Sequence, residues 1–153
     1  MKKIIKNILK NFDYRLIKIS KNNNSFDILL NLLIKKKIQF TFDIGANNGQ
    51  FSKKLRDYGY LDKIVSFEPL SGEYEVLKKN SLNDNKWEIY PKCALGNFDG
   101  NININVSTYS PSSSILNFSK IHQEAKPEAK MVKKETCPIY KLDTVINELK
   151  LQN

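Results

Sequence analysis

An acidic residue and two glycines lie where an apolar run gives way to a helical pattern, in the segment FDIGANNGQF at residues 42–51. Gly45 permits a tight turn, and Gly49 permits close approach of the backbone to a ligand. The N-terminus of the following helix offers free N–H groups. The D-x-G-x-x-x-G pattern therefore indicates a small-molecule site. It suits a ligand whose ammonium lies near Asp43 and whose carboxylate faces backbone donors.

A second acidic residue, Glu68, follows the next predicted strand in the sequence FEP at residues 67–69. A carboxylate at this place accepts both hydroxyls of a bound ribose. Taken singly, Glu68 is explained as a loop acid or helix cap, and Asp43 as a turn-stabilising side chain. Neither explanation covers both acids at successive strand ends. The third glycine of G-x-G-x-x-G is missing, so the dinucleotide-binding pattern is not met.

Strands and helices must alternate to position these two acids. We predict strands at residues 38–45, 63–69 and 87–96, with helices at Gln50–Tyr58 and at residues 72–80 between them. Near-continuous apolar strands in such alternation predict an α/β fold with a mostly parallel sheet and right-handed crossovers.

Later in the chain the pattern changes. Residues 101–108 alternate polar and apolar, which predicts a half-exposed antiparallel strand. Residues 110–114 are predicted to form a turn-rich serine loop, and the lysine-rich residues 123–134 are predicted to be a mobile loop. A short strand from residue 137 leads into a helix whose cap is Asp143 or Thr144.

The N-terminal residues 1–37 are predicted to form a helical segment before a ligand-binding domain at residues 38–153. Apolar residues recur at helical spacing between residues 4 and 19, with lysine and asparagine between them. A basic amphipathic helix of this kind packs over a domain or contacts a membrane surface peripherally. We favour packing.

Composition narrows the class of protein. The chain has 153 residues, a size that suits one globular domain. Almost all of the positive charge behind its net charge of +9 comes from lysine, since Arg15 and Arg56 are the only arginines. Because recognition of nucleic acids relies largely on arginine, this composition argues against a nucleic-acid partner. No apolar run suits a transmembrane segment or a secretion signal, so we expect a cytoplasmic protein. Cys93 and Cys137 lack metal-ligand spacing, and we expect no metal.

Four elements in order carry a resemblance to a known family: DIGANNGQFS, VSFEP, ALG and the serine-rich SPSSSIL. They resemble the FkbM-type methyltransferases, which depend on S-adenosylmethionine (SAM), over about residues 38–146. The resemblance implies a Rossmann-like fold, SAM as cofactor, and methyl transfer to a hydroxyl oxygen. The implied acceptor is a sugar, a glycan or another small natural product.

The resemblance also implies which residues bind the cofactor. The glycine segment would line the methionine moiety, Glu68 would hold the ribose, and the ALG segment would lie close to the adenine. The implied cofactor-binding residues are Asp43, Gly45, Ala46, Asn47, Gly49, Glu68, Pro69, Ala94, Leu95 and Ser113. Ser112 and Ser114 match the same serine loop.

The sequence departs from the family pattern at its C-terminal end. Members of the family continue into a strand with a K-I-D-x-E-G-type motif, whereas this sequence ends at Asn153. That strand would pair with the strand at residues 38–44, on the side opposite the strand that bears Glu68. We therefore expect an incomplete, truncated fold with an open sheet edge, which favours association with a complementing polypeptide or a homo-oligomer.

The catalytic base is not assigned by the sequence. His122 is a candidate, although a lone histidine near a lysine-rich loop more often has no catalytic role. Tyr109 and Asp143 are equally weak candidates. Two alternatives to an active methyltransferase stay open. One is a non-catalytic remnant that binds SAM weakly or not at all, and the other is an NAD-binding or nucleotide-sugar-binding protein.

Overall fold

The computed structural model of the chain describes residues 25–109, 113–116 and 130–150. The described residues form a mixed α/β structure with four helices and two small sheets. The helices are α1 (Ser25–Lys35), α2 (Gln50–Tyr58), α3 (Ser71–Ser81) and α4 (Leu142–Glu148). The strands are β1 (Phe40–Ile44), β2 (Lys63–Phe67), β3 (Trp87–Ile89), β4 (Ala94–Gly96), β5 (Gly100–Ser107) and β6 (Met131–Lys141).

The first sheet has the strand order β1-β2-β3, and both of its pairings are parallel. Helix α2 connects β1 to β2, and α3 connects β2 to β3, as parallel strands require. The predicted alternation of strands and helices is thus confirmed in this part of the chain. Strand β1 ends at Ile44 and β2 ends at Phe67, in register with each other. The residues that follow these two strands are therefore brought to one edge of the sheet.

Two hydrophobic clusters lie on opposite faces of this sheet, because successive strand residues point to opposite sides. Ile64 and Val65, neighbours in β2, belong to different clusters. One cluster is formed with α1, α2 and α3 by Phe26, Leu30, Ala46, Leu55, Tyr60, Ile64, Leu77 and Trp87. The other is formed with α4 by Val65, Phe67, Tyr90, Cys93 and Val145. Both faces of the short parallel sheet are therefore covered.

The prediction of one strand over residues 87–96 is wrong. These residues form two strands in two different sheets, since β3 pairs with β2 and β4 pairs with β6. Pro91 stands between them and has no backbone N–H, so it cannot continue the ladder. The last bond on the β3 side runs from the Tyr90 N–H to the Ser66 carbonyl, at 3.0 Å.

The second sheet has the order β4-β6-β5, with β6 parallel to β4 and antiparallel to β5. The antiparallel strand predicted at residues 101–108 is confirmed as β5. The prediction of a loop at residues 123–134 is wrong for its last part, because β6 begins at Met131. Pairing with β5 satisfies the backbone there, while the side chains of Lys133 and Lys134 stay exposed. Residues 117–129 lie outside the described residues.

Helix α4 is capped by a residue that the sequence did not indicate. The helix begins at Leu142, so Asp143 and Thr144 lie within its first turn, and the predicted caps are wrong. Asp99, from the loop between β4 and β5, accepts the Lys141 N–H at 2.7 Å and the Thr144 hydroxyl at 2.9 Å. A residue distant in sequence therefore satisfies the start of the helix.

Replacing Asp99 with alanine is expected to lower the melting temperature, by on the order of a few degrees, because the start of α4 loses its acceptor. The bonds from Lys141 and Thr144 hold the pKa of Asp99 below its usual range. The stabilisation is thus present at neutral pH and is lost as pH falls through that lowered pKa. Thermal denaturation at pH 7 and at about pH 3 measures it. Equal melting temperatures for both proteins at pH 7 would contradict the cap.

Strand β1 lies at an edge of the first sheet. Within the described ranges its only strand neighbour is β2, and Ile44 at its end is 56% exposed. The further strand that the resemblance implies at this edge stays a prediction. Residues 1–24, and with them the helix predicted at residues 4–19, lie outside the described residues. Among the helices described, none has the length and apolar character needed to cross a bilayer.

Candidate functional site

The glycine segment forms a tight loop that is hydrogen-bonded to the end of β2. The N–H groups of Gly45 and Ala46 both donate to the Phe67 carbonyl, at 3.0 and 2.9 Å. Gly45 and Gly49 have φ angles of 73° and 83°, and Asn47 has a φ of 51°. These left-handed conformations explain two glycines and an asparagine at these places. The loop thus turns sharply from β1 into α2 beside the residue that follows Phe67.

Glu68 joins the two loops that follow β1 and β2. One carboxylate oxygen accepts the Asn47 N–H at 2.7 Å, and the other accepts the Leu70 N–H at 2.9 Å. The residue is only 4% exposed. Each oxygen of a carboxylate has two lone pairs, so a second acceptor position remains on each. The arrangement therefore holds Glu68 rigidly and leaves it capacity for ligand hydroxyls.

Burial raises the pKa of Glu68, and the nearby charges of Glu73 and Asp43 raise it further. The hydrogen bonds from Leu70 and Asn47 oppose this shift without cancelling it. Hydroxyl groups of a ligand that donate to the carboxylate would favour its charged form and lower the pKa. The affinity for such a ligand is therefore linked to pH.

Asp43 is buried inside a polar network below the loop. It accepts the Ser52 hydroxyl at 2.6 Å and lies 3.4 Å from the Ser66 hydroxyl, which in turn accepts the Trp87 indole N–H at 2.8 Å. Burial raises the pKa of Asp43, while the two serine hydroxyls act against the rise. The network connects β1, α2, β2 and β3. Sequence reasoning missed both serines, because nothing in their local pattern distinguishes them from other helix or strand residues.

Two other residues of the predicted site pack into the core. Ala46 is 3% exposed and belongs to the cluster under α1, α2 and α3. A Cβ atom on Gly49 would lie 2.6 Å from the Trp87 ring and 2.8 Å from Leu77. The structure thus shows a close approach of Gly49 to the protein core. A Cβ atom on Gly45, by contrast, would meet no protein atom within 4 Å.

A cleft of about 410 Å³ lies at the carboxyl ends of β1 and β2. It brings together six of the predicted residues, which are Gly45, Asn47, Glu68, Pro69, Ala94 and Ser113. Five further residues line it, which are Gln50, Leu70, Ile104, Ser114 and Ile115. Asp43, Ala46, Gly49 and Leu95 are not among the lining residues. The second sheet thus contributes Ala94, which the resemblance implied, and Ile104, which the sequence did not indicate.

The serine loop borders this cleft through residues tied to β5. The Ser113 hydroxyl accepts the Ser107 N–H at 3.0 Å, and Ser114 exchanges two backbone bonds with Asn105. This pairing places Ser113 and Ser114 in the lining of the cleft. Ser112 and the candidate base His122 lie outside the described residues.

The other two candidate bases occupy different surroundings. Tyr109 is 46% exposed and lines a second cavity of about 380 Å³, which shares Asn47 and Gln50 with the cleft. Asp143 is exposed in the first turn of α4 and does not line the cleft. Over the part of the chain that the structure describes, no cluster of His, Cys, Asp or Glu side chains is placed to hold a metal ion.

The chain is thus an α/β protein with a cleft at the carboxyl ends of parallel strands. Comparison with known families matches residues 43–152 to the Methyltransferase FkbM domain, which is well over half of the chain. The chain belongs to the FkbM methyltransferase family, and methyl transfer is the activity at the level of the family. No curated protein and no solved structure matches the chain significantly.

Proposed function

We propose that this protein binds SAM in the cleft and transfers its methyl group to a hydroxyl oxygen of a sugar, a glycan or another small natural product. The observation that carries the proposal is the position of Glu68. Its buried carboxylate joins the loops after β1 and β2 and lies in the wall of the cleft. An acid at the end of the second strand is suited to ribose hydroxyls.

The described residues fit such a cofactor. The volume of the cleft falls within the roughly 300–1,000 Å³ usual for ligand pockets. Glu68 would hold the ribose hydroxyls, the loop from Gly45 to Asn47 would face the methionine moiety, and Ala94 would border the adenine. The parallel order of β1, β2 and β3, with helices between them, is that expected of a Rossmann-like half-sheet. SAM supplies an electrophilic methyl group when it is bound.

The residues of the chain contribute alignment rather than covalent chemistry in this proposal. Holding donor and acceptor in line supplies much of the acceleration of a displacement reaction. Methylation of a hydroxyl also releases one proton, and a base assists its departure. His122, Tyr109 and Asp143 stay candidates for that base, and the acceptor class stays part of the proposal. A cytoplasmic location and a complementing or identical partner chain remain predictions from the sequence.

Calorimetry with S-adenosylhomocysteine, the demethylated product of SAM, tests the cofactor site. We expect micromolar affinity at pH 7, on the order of −8 kcal/mol. Because the pKa of Glu68 is raised, affinity should fall with acidification before the ordinary glutamate pKa of about 4.3 is reached. The sign follows from the requirement for the charged carboxylate, which is lost as pH drops through that raised pKa. Glu68→Ala should remove this part of the pH dependence.

The outcome that overturns the proposal is the absence of binding by a folded sample. Competition with NAD distinguishes the nucleotides, since displacement of S-adenosylhomocysteine by NAD at similar concentrations would indicate a dinucleotide site. Binding without methyl transfer to any glycan acceptor would support a cofactor-binding protein that is not catalytic.

A further inference from the structure

A polar cluster outside the cleft joins the second sheet to the start of α3. The cluster consists of Ser71, Lys92 and Glu135, and we call it the Glu135 cluster. One carboxylate oxygen of Glu135 accepts the Ser71 N–H at 2.8 Å and the Lys92 ammonium at 3.1 Å, and it also accepts the Ser71 hydroxyl. The Lys92 ammonium donates in addition to the Ser71 hydroxyl at 2.7 Å. Three segments distant in sequence thus meet at one carboxylate.

Each member of the Glu135 cluster lies close in the chain or in the sheet to a residue of the cleft wall. Ser71 follows Leu70, Lys92 lies two residues before Ala94, and Glu135 is the cross-strand partner of Ile104. Leu70, Ala94 and Ile104 all line the cleft, whereas no member of the cluster does. The cluster is therefore placed to set the distance between the walls without touching a ligand.

Two carboxylates hold consecutive amides at the start of α3. The Leu70 N–H donates to Glu68, and the next N–H, that of Ser71, donates to Glu135. Negative charge near a helix N-terminus is favourable, and charged acceptors make stronger hydrogen bonds than neutral ones. Movement of Ser71 would displace Leu70, then Glu68, and then Asn47, whose N–H binds the other oxygen of Glu68.

The surroundings of Glu135 favour its charged form. Its side chain is only 15% exposed, and this burial raises its pKa. The hydrogen bonds from Ser71 and Lys92, together with the charge of Lys92, outweigh burial and bring the pKa below the usual range. The carboxylate is thus charged at neutral pH.

We propose that Glu135 is a positioning residue that acts through Ser71 to hold Glu68 and Asn47 in the geometry of the cleft. The inference deepens the proposed function and rests on it for its consequence on cofactor binding. A cap that serves only α3 would stabilise Ser71 and leave Asn47 unaffected. Asn47 is 24 residues away from Ser71 in sequence, and the chain of bonds through Glu68 connects them.

Amide hydrogen exchange of the unliganded chain, measured by NMR, tests this connection without any cofactor. Glu135→Gln keeps the shape of the side chain and removes its charge. We expect protection to fall about tenfold at Ser71, Leu70 and Asn47 alike, since a charge-assisted bond is lost. Lys92→Met should lower the exchange protection of the same three amides by a smaller factor. The matched control is Glu88→Gln, which removes an exposed ion pair with Lys63 and should change none of them.

A loss of protection confined to Ser71 in both variants would overturn the proposal. If Glu135→Gln does not fold, Lys92→Met decides by the same criterion. Calorimetry with S-adenosylhomocysteine then separates this inference from the proposed function. Failure of the wild-type chain to bind overturns the function, while the exchange data still decide the positioning role. If the wild type binds and Glu135→Gln binds with the same affinity, the proposed effect of Glu135 on the cleft is contradicted.

Discussion

Glu68→Ala is expected to weaken binding of S-adenosylhomocysteine by about 1–3 kcal/mol, through loss of a charged acceptor for the ribose hydroxyls. The substitution also removes the acceptor of the Leu70 N–H, which is buried, and of the Asn47 N–H, which is partly buried. Both loops that border the cleft should therefore loosen together. Calorimetry at 25 °C on samples verified as folded by circular dichroism measures the loss.

The matched control for this prediction is Glu75→Ala, on the exposed side of α3. Glu75 pairs with Lys78 on the surface and does not line the cleft. Surface pairs of this kind contribute little to stability, so we expect affinity to stay within experimental error. Equal affinity of Glu68→Ala and the wild type would remove Glu68 from the site, whatever its effect on stability.

Gly49→Ala is expected to lower the free energy of unfolding by roughly 2–5 kcal/mol, from two causes that add. The φ of 83° is unfavourable for any residue with a side chain. The new Cβ atom would also lie 2.6 Å from the buried ring of Trp87, which cannot move away without opening the core under α2 and α3. Chemical denaturation, followed by far-UV circular dichroism, measures the change.

Gly45→Ala provides the comparison that separates these two causes. Its φ of 73° is similar, but the new Cβ atom would meet no protein atom within 4 Å. We expect it to cost only about 1–2 kcal/mol of stability, the conformational part. Because Gly45 lines the cleft, the same substitution should weaken binding of S-adenosylhomocysteine. Equal destabilisation by both substitutions would contradict the role of the Trp87 contact.

Much of the local structure was predictable because its causes lie in nearby residues. Helix α2 was predicted with the bounds Gln50–Tyr58 that the structure has, since its apolar spacing and the glycines on either side are local signals. The strands predicted at residues 38–45 and 63–69 were three and two residues too long, since the observed strands are Phe40–Ile44 and Lys63–Phe67. Proline at residue 91 was present in the sequence, yet the division of residues 87–96 between two sheets depends on β6, which is 35 or more residues further along.

The predictions that the structure contradicts failed for the same reason, because each depends on a contact between segments distant in the chain. The start of β6 at Met131 is decided by its pairing with β5, which compensates for a lysine-rich sequence. The cap of α4 comes from Asp99, more than 40 residues before the helix. Charge and hydrogen-bonding capacity are visible in a sequence, but the partner that satisfies them across the fold is not.

The sequence alone determined the turn after β1, the acidic residue after β2 and the family of the chain. All three depend on residue types at short, fixed spacings. The tertiary structure alone decided what those residues do within the fold. It placed Asp43 in a buried serine network, Gly49 against Trp87, and Glu68 between two backbone amides. It also brought Ala94 and Ile104 of the second sheet to the wall of the cleft. Contacts of this kind arise only when segments distant in the chain pack together.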